Sequence, residues 1–73
     1  MIEIWSKPQC IFCDKAVQLC EMKNLEYKKY MIEVDYSRED LMTLFPDART
    51  FPQIKMDSNY IGGYTELEVH LNK

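Results

Sequence analysis

Cys10 and Cys13, separated only by Ile11 and Phe12, are the residues whose types and spacing can do chemistry. Two thiols one helical turn apart are close enough to form a disulfide. Thiol–disulfide exchange runs through a mixed disulfide, so it needs an exposed thiolate to attack and a second thiol to resolve the intermediate. Cys10 precedes a predicted helix, where unpaired N–H groups and the helix dipole favour a thiolate, and Lys7 adds positive charge nearby. Cys13 falls in the first turn and faces inward. Cys10 is therefore expected to attack, ionising below the ordinary thiol value of about 8.5, and Cys13 to resolve. An outside thiol resolving the Cys10 adduct is the alternative route.

The same Cys-x-x-Cys is also half of a zinc site, which usually recruits two more Cys or His ligands. Only Cys20 and His70 remain to supply them. Cys20 lies seven residues after Cys13 on the same helical face and reads as a small buried residue. His70 reads as a surface residue. A zinc or iron–sulfur carrier with Cys10 as ligand is the competing binding-module hypothesis, and no metal is expected.

The elements that must position the pair follow from pattern. Met1 to Trp5 is a β-prone run ending at Ser6, Lys7 and Pro8. From Ile11 to about Asn24, Cys13, Ala16, Val17 and Cys20 recur at helical spacing. Tyr27 to Val34 alternates as a second strand, and strand–helix–strand implies a parallel βαβ unit. Ser37 opens a capping-box sequence with Leu41, Leu44 and Phe45 as an inward face before Pro46. Gln53–Met56 and Asn59–Ile61 form a hairpin across Asp57 and Ser58. Gly62 and Gly63 loosen the backbone, and Thr65 is expected to cap a last helix carrying Leu67 and Leu71. The order βαβαββα predicts an α/β fold, a four-stranded mixed sheet flanked by helices. A right-handed crossover sets Cys10 at the carboxyl edge of the first strand.

Seventy-three residues suit one domain, residues 1–73, with a thin core to which Trp5, three Phe and five Tyr contribute. A net charge of −3 with scattered Lys and Arg argues against nucleic-acid binding. Lys28 and Lys29 beside Glu26 and Glu33 read as a solvated face. No apolar run reaches the roughly 18 residues of a membrane span, and no signal segment is evident. Three cysteines make a poor disulfide framework, so a reducing, cytoplasmic setting and a monomer are expected.

Taken together, Lys-Pro-Gln-Cys-Ile-Phe-Cys, Arg-Thr-Phe-Pro-Gln-Ile, Ile-Gly-Gly and the closing helix make the chain resemble a glutaredoxin along almost its whole length. That resemblance implies the thioredoxin-like fold, a thiol–disulfide oxidoreductase activity and glutathione as co-substrate. It places a cis peptide bond before Pro52 and turns the Phe51 backbone toward glutathione. It gives Lys7 a carboxylate-binding role and sends the γ-glutamyl carboxylate to the N–H groups of Thr65 and Glu66, while Arg49, by its charge, is either a second carboxylate partner or a surface cation. Phe12 and Gly63 complete the expected binding set. The chain departs from the family in carrying Ile-Phe where dithiol members often have Pro-Tyr, and Thr65 where many have Asp, with Glu66 as a substitute partner for the glutathione ammonium. The implied partners are disulfide-containing proteins. The alternative is a glutaredoxin-like donor of thioredoxin-type specificity, reduced by thioredoxin reductase and serving ribonucleotide reductase.

Overall fold

The computed structural model describes residues 1–72. Its elements run β1 (Ile2–Ser6), α1 (Ile11–Met22), β2 (Tyr27–Met31), α2 (Arg38–Leu44), β3 (Gln53–Met56), β4 (Asn59–Gly62) and α3 (Tyr64–Leu71). The strands form one mixed sheet in the order β2-β1-β3-β4, with β1 parallel to β2 and antiparallel to β3. The predicted βαβαββα order and thioredoxin-like architecture are therefore present.

Alternation along β1 builds two cores. Ile2 and Ile4 pack with Ile54, with Ala16 and Cys20 of α1, and with Leu67 of α3. Trp5 points to the other face, against Tyr36, Leu41 and Phe45 at α2. Successive strand side chains point to opposite faces, so one short strand anchors helices on both. Cys20 is fully buried, as a packing residue should be. His70 is exposed.

Several local features differ from expectation. Strand β2 stops at Met31 and not Val34, because Glu33 takes a left-handed φ of 65° and the Asp35 carboxylate accepts the Met31 N–H at 2.8 Å. That turn overrides the alternating pattern and leaves Val34 exposed. Helix α1 ends at Met22, two residues early, since Asn24 has a φ of 55°. Leu44 is exposed, not inward, while Leu41 and Phe45, one turn apart, share the buried face. Gly63, not Thr65, is the N-cap of α3.

Other local expectations hold. Ser37 and Asp40 form a reciprocal capping box on α2. Asp57 and Ser58 both adopt positive φ (51° and 71°), as a two-residue hairpin turn requires.

Candidate active site

Helix α1 begins where β1 has just delivered Lys7 and Pro8 to the sheet edge. Gln9 takes a left-handed φ of 55°, and Cys10 is the extended N-cap residue. From that position the Cys10 Sγ accepts the Cys13 N–H at 3.2 Å, one of the N–H groups that an α-helix cannot satisfy internally. The same contact would stabilise a negative charge on that sulfur after reduction. Cys10 and Cys13 are joined as a disulfide, with Cα atoms 5.2 Å apart.

One expectation needs correction. Cys10 is only 8% exposed, not open to solvent, while Cys13 is buried as expected. Bonding to Cys13 and accepting its N–H hold the Cys10 sulfur against the helix mouth. Ile11 and Phe12 are the exposed residues there, at 70% and 53%.

Phe12 forms one side of an open cleft of about 200 Å³, whose other lining residues are Thr50, Phe51, Gly63, Tyr64, Thr65 and Glu66. Phe51–Pro52 is a cis peptide, the arrangement that the family resemblance implied. Pro52 is fully buried. Its carbonyl oxygen lies against Gly63, where an added Cβ would stand 3.3 Å away. Lys7 places its ammonium 5.5 Å from the centre of the Phe51 ring. Five expected binding residues, Phe12, Phe51, Gly63, Thr65 and Glu66, thus line one cleft, with Pro52 beneath and Lys7 beside it.

Arg49 does not join them. It lines an adjoining cleft with Arg38, Leu41, Met42 and Ala48, which shares only Thr50 and Phe51 with the first. The Ala48 N–H donates to the Phe45 carbonyl, turning this part of the loop toward α2.

Three residues at the site were not anticipated. Tyr64 faces Phe12 with ring centres 5.9 Å apart, and its hydroxyl donates to Glu68 at 3.1 Å. That hydrogen bond pushes the Tyr64 ionisation up. Thr50 lines the cleft, and Lys15 lies 5.3 Å from the Phe12 ring. The i, i+3 spacing of Phe12 and Lys15 on a helix was the available signal for that contact. Tyr64 offered only its place after two glycines.

Glu66 curls back from the first turn of α3, and its carboxylate accepts the Gly63 N–H at 2.7 Å. Gly62, with φ of 118°, leaves room for that side chain: a Cβ there would lie 2.6 Å from the Glu66 Oε1. Among the described residues no three His, Cys, Asp or Glu side chains gather as a metal site requires.

A helix-capped cysteine pair at the carboxyl edge of a central strand, with a cis-proline loop beside a small cleft, defines a thiol–disulfide oxidoreductase of thioredoxin-like fold. The glutaredoxin family model matches residues 2–61. A Synechocystis protein named as a probable glutaredoxin is 34% identical over 67 residues, spanning 90% of this chain and 76% of that one. Glutaredoxin 3 of Escherichia coli is 29% identical over 66 residues, spanning 90% and 80%. The crystal structure of glutaredoxin 1 from Francisella tularensis superposes with a TM-score of 0.78 at 28% identity, covering 99% of this chain and 96% of its own. The chain belongs to the glutaredoxin family.

Proposed function

We propose that this glutaredoxin uses glutathione to reduce glutathione mixed disulfides and protein disulfides. The observation that supports this reading is the cleft joining Phe12, which stands between the two cysteines, to the Phe51–Pro52 loop and the start of α3. A tripeptide bound there has its cysteine sulfur directed at Cys10. The Cys10 thiolate attacks the substrate disulfide and expels one thiolate, and Cys13 or glutathione then displaces Cys10 from the mixed disulfide.

Lys7 takes a glutathione carboxylate, and the unpaired N–H groups of Thr65 and Glu66 face the γ-glutamyl end. The Glu66 carboxylate stands where an ammonium can meet it. Arg49, on the neighbouring cleft, has at most a peripheral part. The protein acts as a cytoplasmic, monomeric single domain. No helix among the described residues is long and apolar enough to cross a membrane.

A second reading is favoured by one feature, the exposure of Ile11 and Phe12 beside the cysteines. Apolar groups suit a protein partner, as in a donor to ribonucleotide reductase that is itself reduced by thioredoxin reductase. A coupled assay with glutathione, glutathione reductase and a small mixed disulfide separates the two. We expect turnover in that system and little when thioredoxin reductase replaces both. Equal turnover in both systems overturns the glutathione reading, and a Cys10→Ser variant that still turns over removes Cys10 as nucleophile.

A further inference from the structure

Gln53 is a buried polar residue, 3% exposed, and both ends of its side-chain amide are hydrogen-bonded. Its Nε2 donates to the Thr50 carbonyl at 2.6 Å, and its Oε1 accepts the Tyr60 hydroxyl. Chemistry fixes that orientation. A carbonyl oxygen has no hydrogen to give, so only the NH2 end can face Thr50, which leaves the amide oxygen for a neighbour whose hydroxyl can donate.

The two partners lie on different elements. Tyr60 belongs to β4, where it pairs with Lys55 of β3 and reaches diagonally to Gln53, two residues along. Its ring rests on Phe45 with centres 5.1 Å apart, which steadies the hydroxyl. Thr50 lies on the other side of Pro52, in the loop that lines the substrate cleft. Among the described residues no other hydrogen bond reaches Arg49, Thr50 or Phe51. The Gln53 backbone, by contrast, is paired with Trp5 in the inner strand that leads to Cys10. One side chain therefore ties the loop to the strand that carries the cysteines.

We propose that Gln53 is a positioning residue for the exchange reaction: its amide sets the Thr50–Phe51 backbone where a peptide-like substrate pairs with it, and Tyr60 acts through Gln53 by holding that amide. This rests on the reading of the Phe12–Glu66 cleft as the glutathione site. A disulfide with peptide groups beside its sulfur depends on the loop, whereas one with only short alkyl arms does not. Gln53 thus governs selectivity. Cys10 keeps its own environment in either case, since the Cys13 N–H, not the loop, donates to its sulfur.

Single-turnover oxidation of the fully reduced protein by glutathione disulfide and by hydroxyethyl disulfide tests this. The first readout is the ratio of the two second-order rate constants, which cancels any general loss of activity. The second is the split between kcat and KM for a glutathionylated peptide in steady state. Gln53→Met keeps the length of the side chain and loses both hydrogen bonds. Tyr60→Phe, at a half-exposed ring, keeps the test open should Gln53→Met fail to fold, and Phe12→Ala reports on the cleft itself.

The net worth of an ordinary hydrogen bond corresponds to about a two- to tenfold change. Gln53→Met is expected to lower the ratio of glutathione disulfide to hydroxyethyl disulfide by about five- to tenfold and to raise KM with kcat held within about twofold. Tyr60→Phe is expected to lower the ratio by about two- to threefold, and the double variant to be no worse than Gln53→Met, because the hydroxyl acts only through the amide. Rate constants that fall equally for both disulfides, or losses that add in the double variant, overturn the proposal. Unchanged ratios in Gln53→Met and Tyr60→Phe with a lowered ratio in Phe12→Ala overturn the role of Gln53 and leave the cleft as glutathione site. Unchanged ratios in all three single variants overturn the cleft assignment as well.

Discussion

The carbonyl oxygen of Pro52 and the Cα of Gly63 meet so closely that a methyl group on residue 63 would stand 3.3 Å from that oxygen. The contact joins the loop beside the cysteines to the cap of α3, and both are backbone, so neither gives way easily. Gly63→Ala is expected to cost about 1 kcal/mol and to slow exchange by displacing the loop. Gly62→Ala combines a positive φ with a collision against Glu66 and is expected to cost about 2–3 kcal/mol. Urea unfolding and disulfide reduction rates check both, and a Gly62→Ala cost below that of Gly63→Ala contradicts the geometry.

Cys20 and Cys10 should part company toward alkylating agents. Burial pushes the Cys20 thiol up, with Glu21 adding to the effect, and the residue is fully enclosed between α1 and the sheet. Reduced protein treated with iodoacetamide at neutral pH is expected to be modified first at Cys10, with Cys20 reacting only in denaturant. Peptide mass spectrometry over time follows the order. Early labelling of Cys20 would mean that the core opens far more readily than its packing implies.

Tyr36 supplies a pH signature. Its hydroxyl donates to the Ser6 carbonyl at 2.7 Å, and burial pushes its ionisation up to about 12. An unfolded tyrosine ionises near 10, so the folded state holds this proton more tightly. Its contribution to stability is whole below pH 10 and is lost as pH rises toward 12, on the order of 2 kcal/mol. Tyr27, Tyr30 and Tyr64 are raised as well and steepen the same alkaline fall. Tyr36→Phe is expected to cost about 1 kcal/mol at neutral pH and to flatten the alkaline decline. The Ile32 N–H, which also donates to the Ser6 carbonyl at 3.0 Å, keeps that oxygen satisfied in the variant. Denaturant curves from pH 8 to 12 for both proteins give the comparison.

Phe12→Ala separates binding from folding. The ring is 53% exposed and contacts Tyr64 at 5.9 Å, so its removal should cost less than about 1.5 kcal/mol of stability. With the cleft as substrate site, as proposed above, the substitution is expected to lower kcat/KM by about tenfold, chiefly through KM. A large drop in melting temperature with unchanged KM would assign Phe12 to structure alone.

Much of this was legible in the residues themselves. The period-two alternation of Ile2, Ile4 and Trp5 and the helical spacing of Cys13, Ala16 and Cys20 are local signals with strong physical causes, and they hold. So does the Ser37–Asp40 cap. The end of β2 was hidden because a side-chain-to-backbone bond from Asp35, four residues away, competes with a favourable strand pattern. Thr65 looked like a cap because hydroxyls usually fill that role. Here the Glu66 carboxylate reaches the Gly63 N–H from inside the helix. Tyr64 and Thr50 belong to a cleft formed by segments far apart in sequence, and only their places beside the two glycines and the Phe51–Pro52 pair mark them. The low exposure of Cys10 is a matter of tertiary packing, which spacing alone does not specify.

Strand β1 is hydrogen-bonded on both sides, by β2 and by β3, whereas β2 and β4 are the sheet's free margins. The loop to Cys10 therefore hangs from an inner strand of the sheet. Fraying at either margin, the cheapest local opening available to such a sheet, leaves the sulfur's anchor in place. Amide hydrogen exchange should accordingly be slowest along Ile4 and Trp5. A redox centre mounted there can keep its geometry while the rim of the molecule breathes.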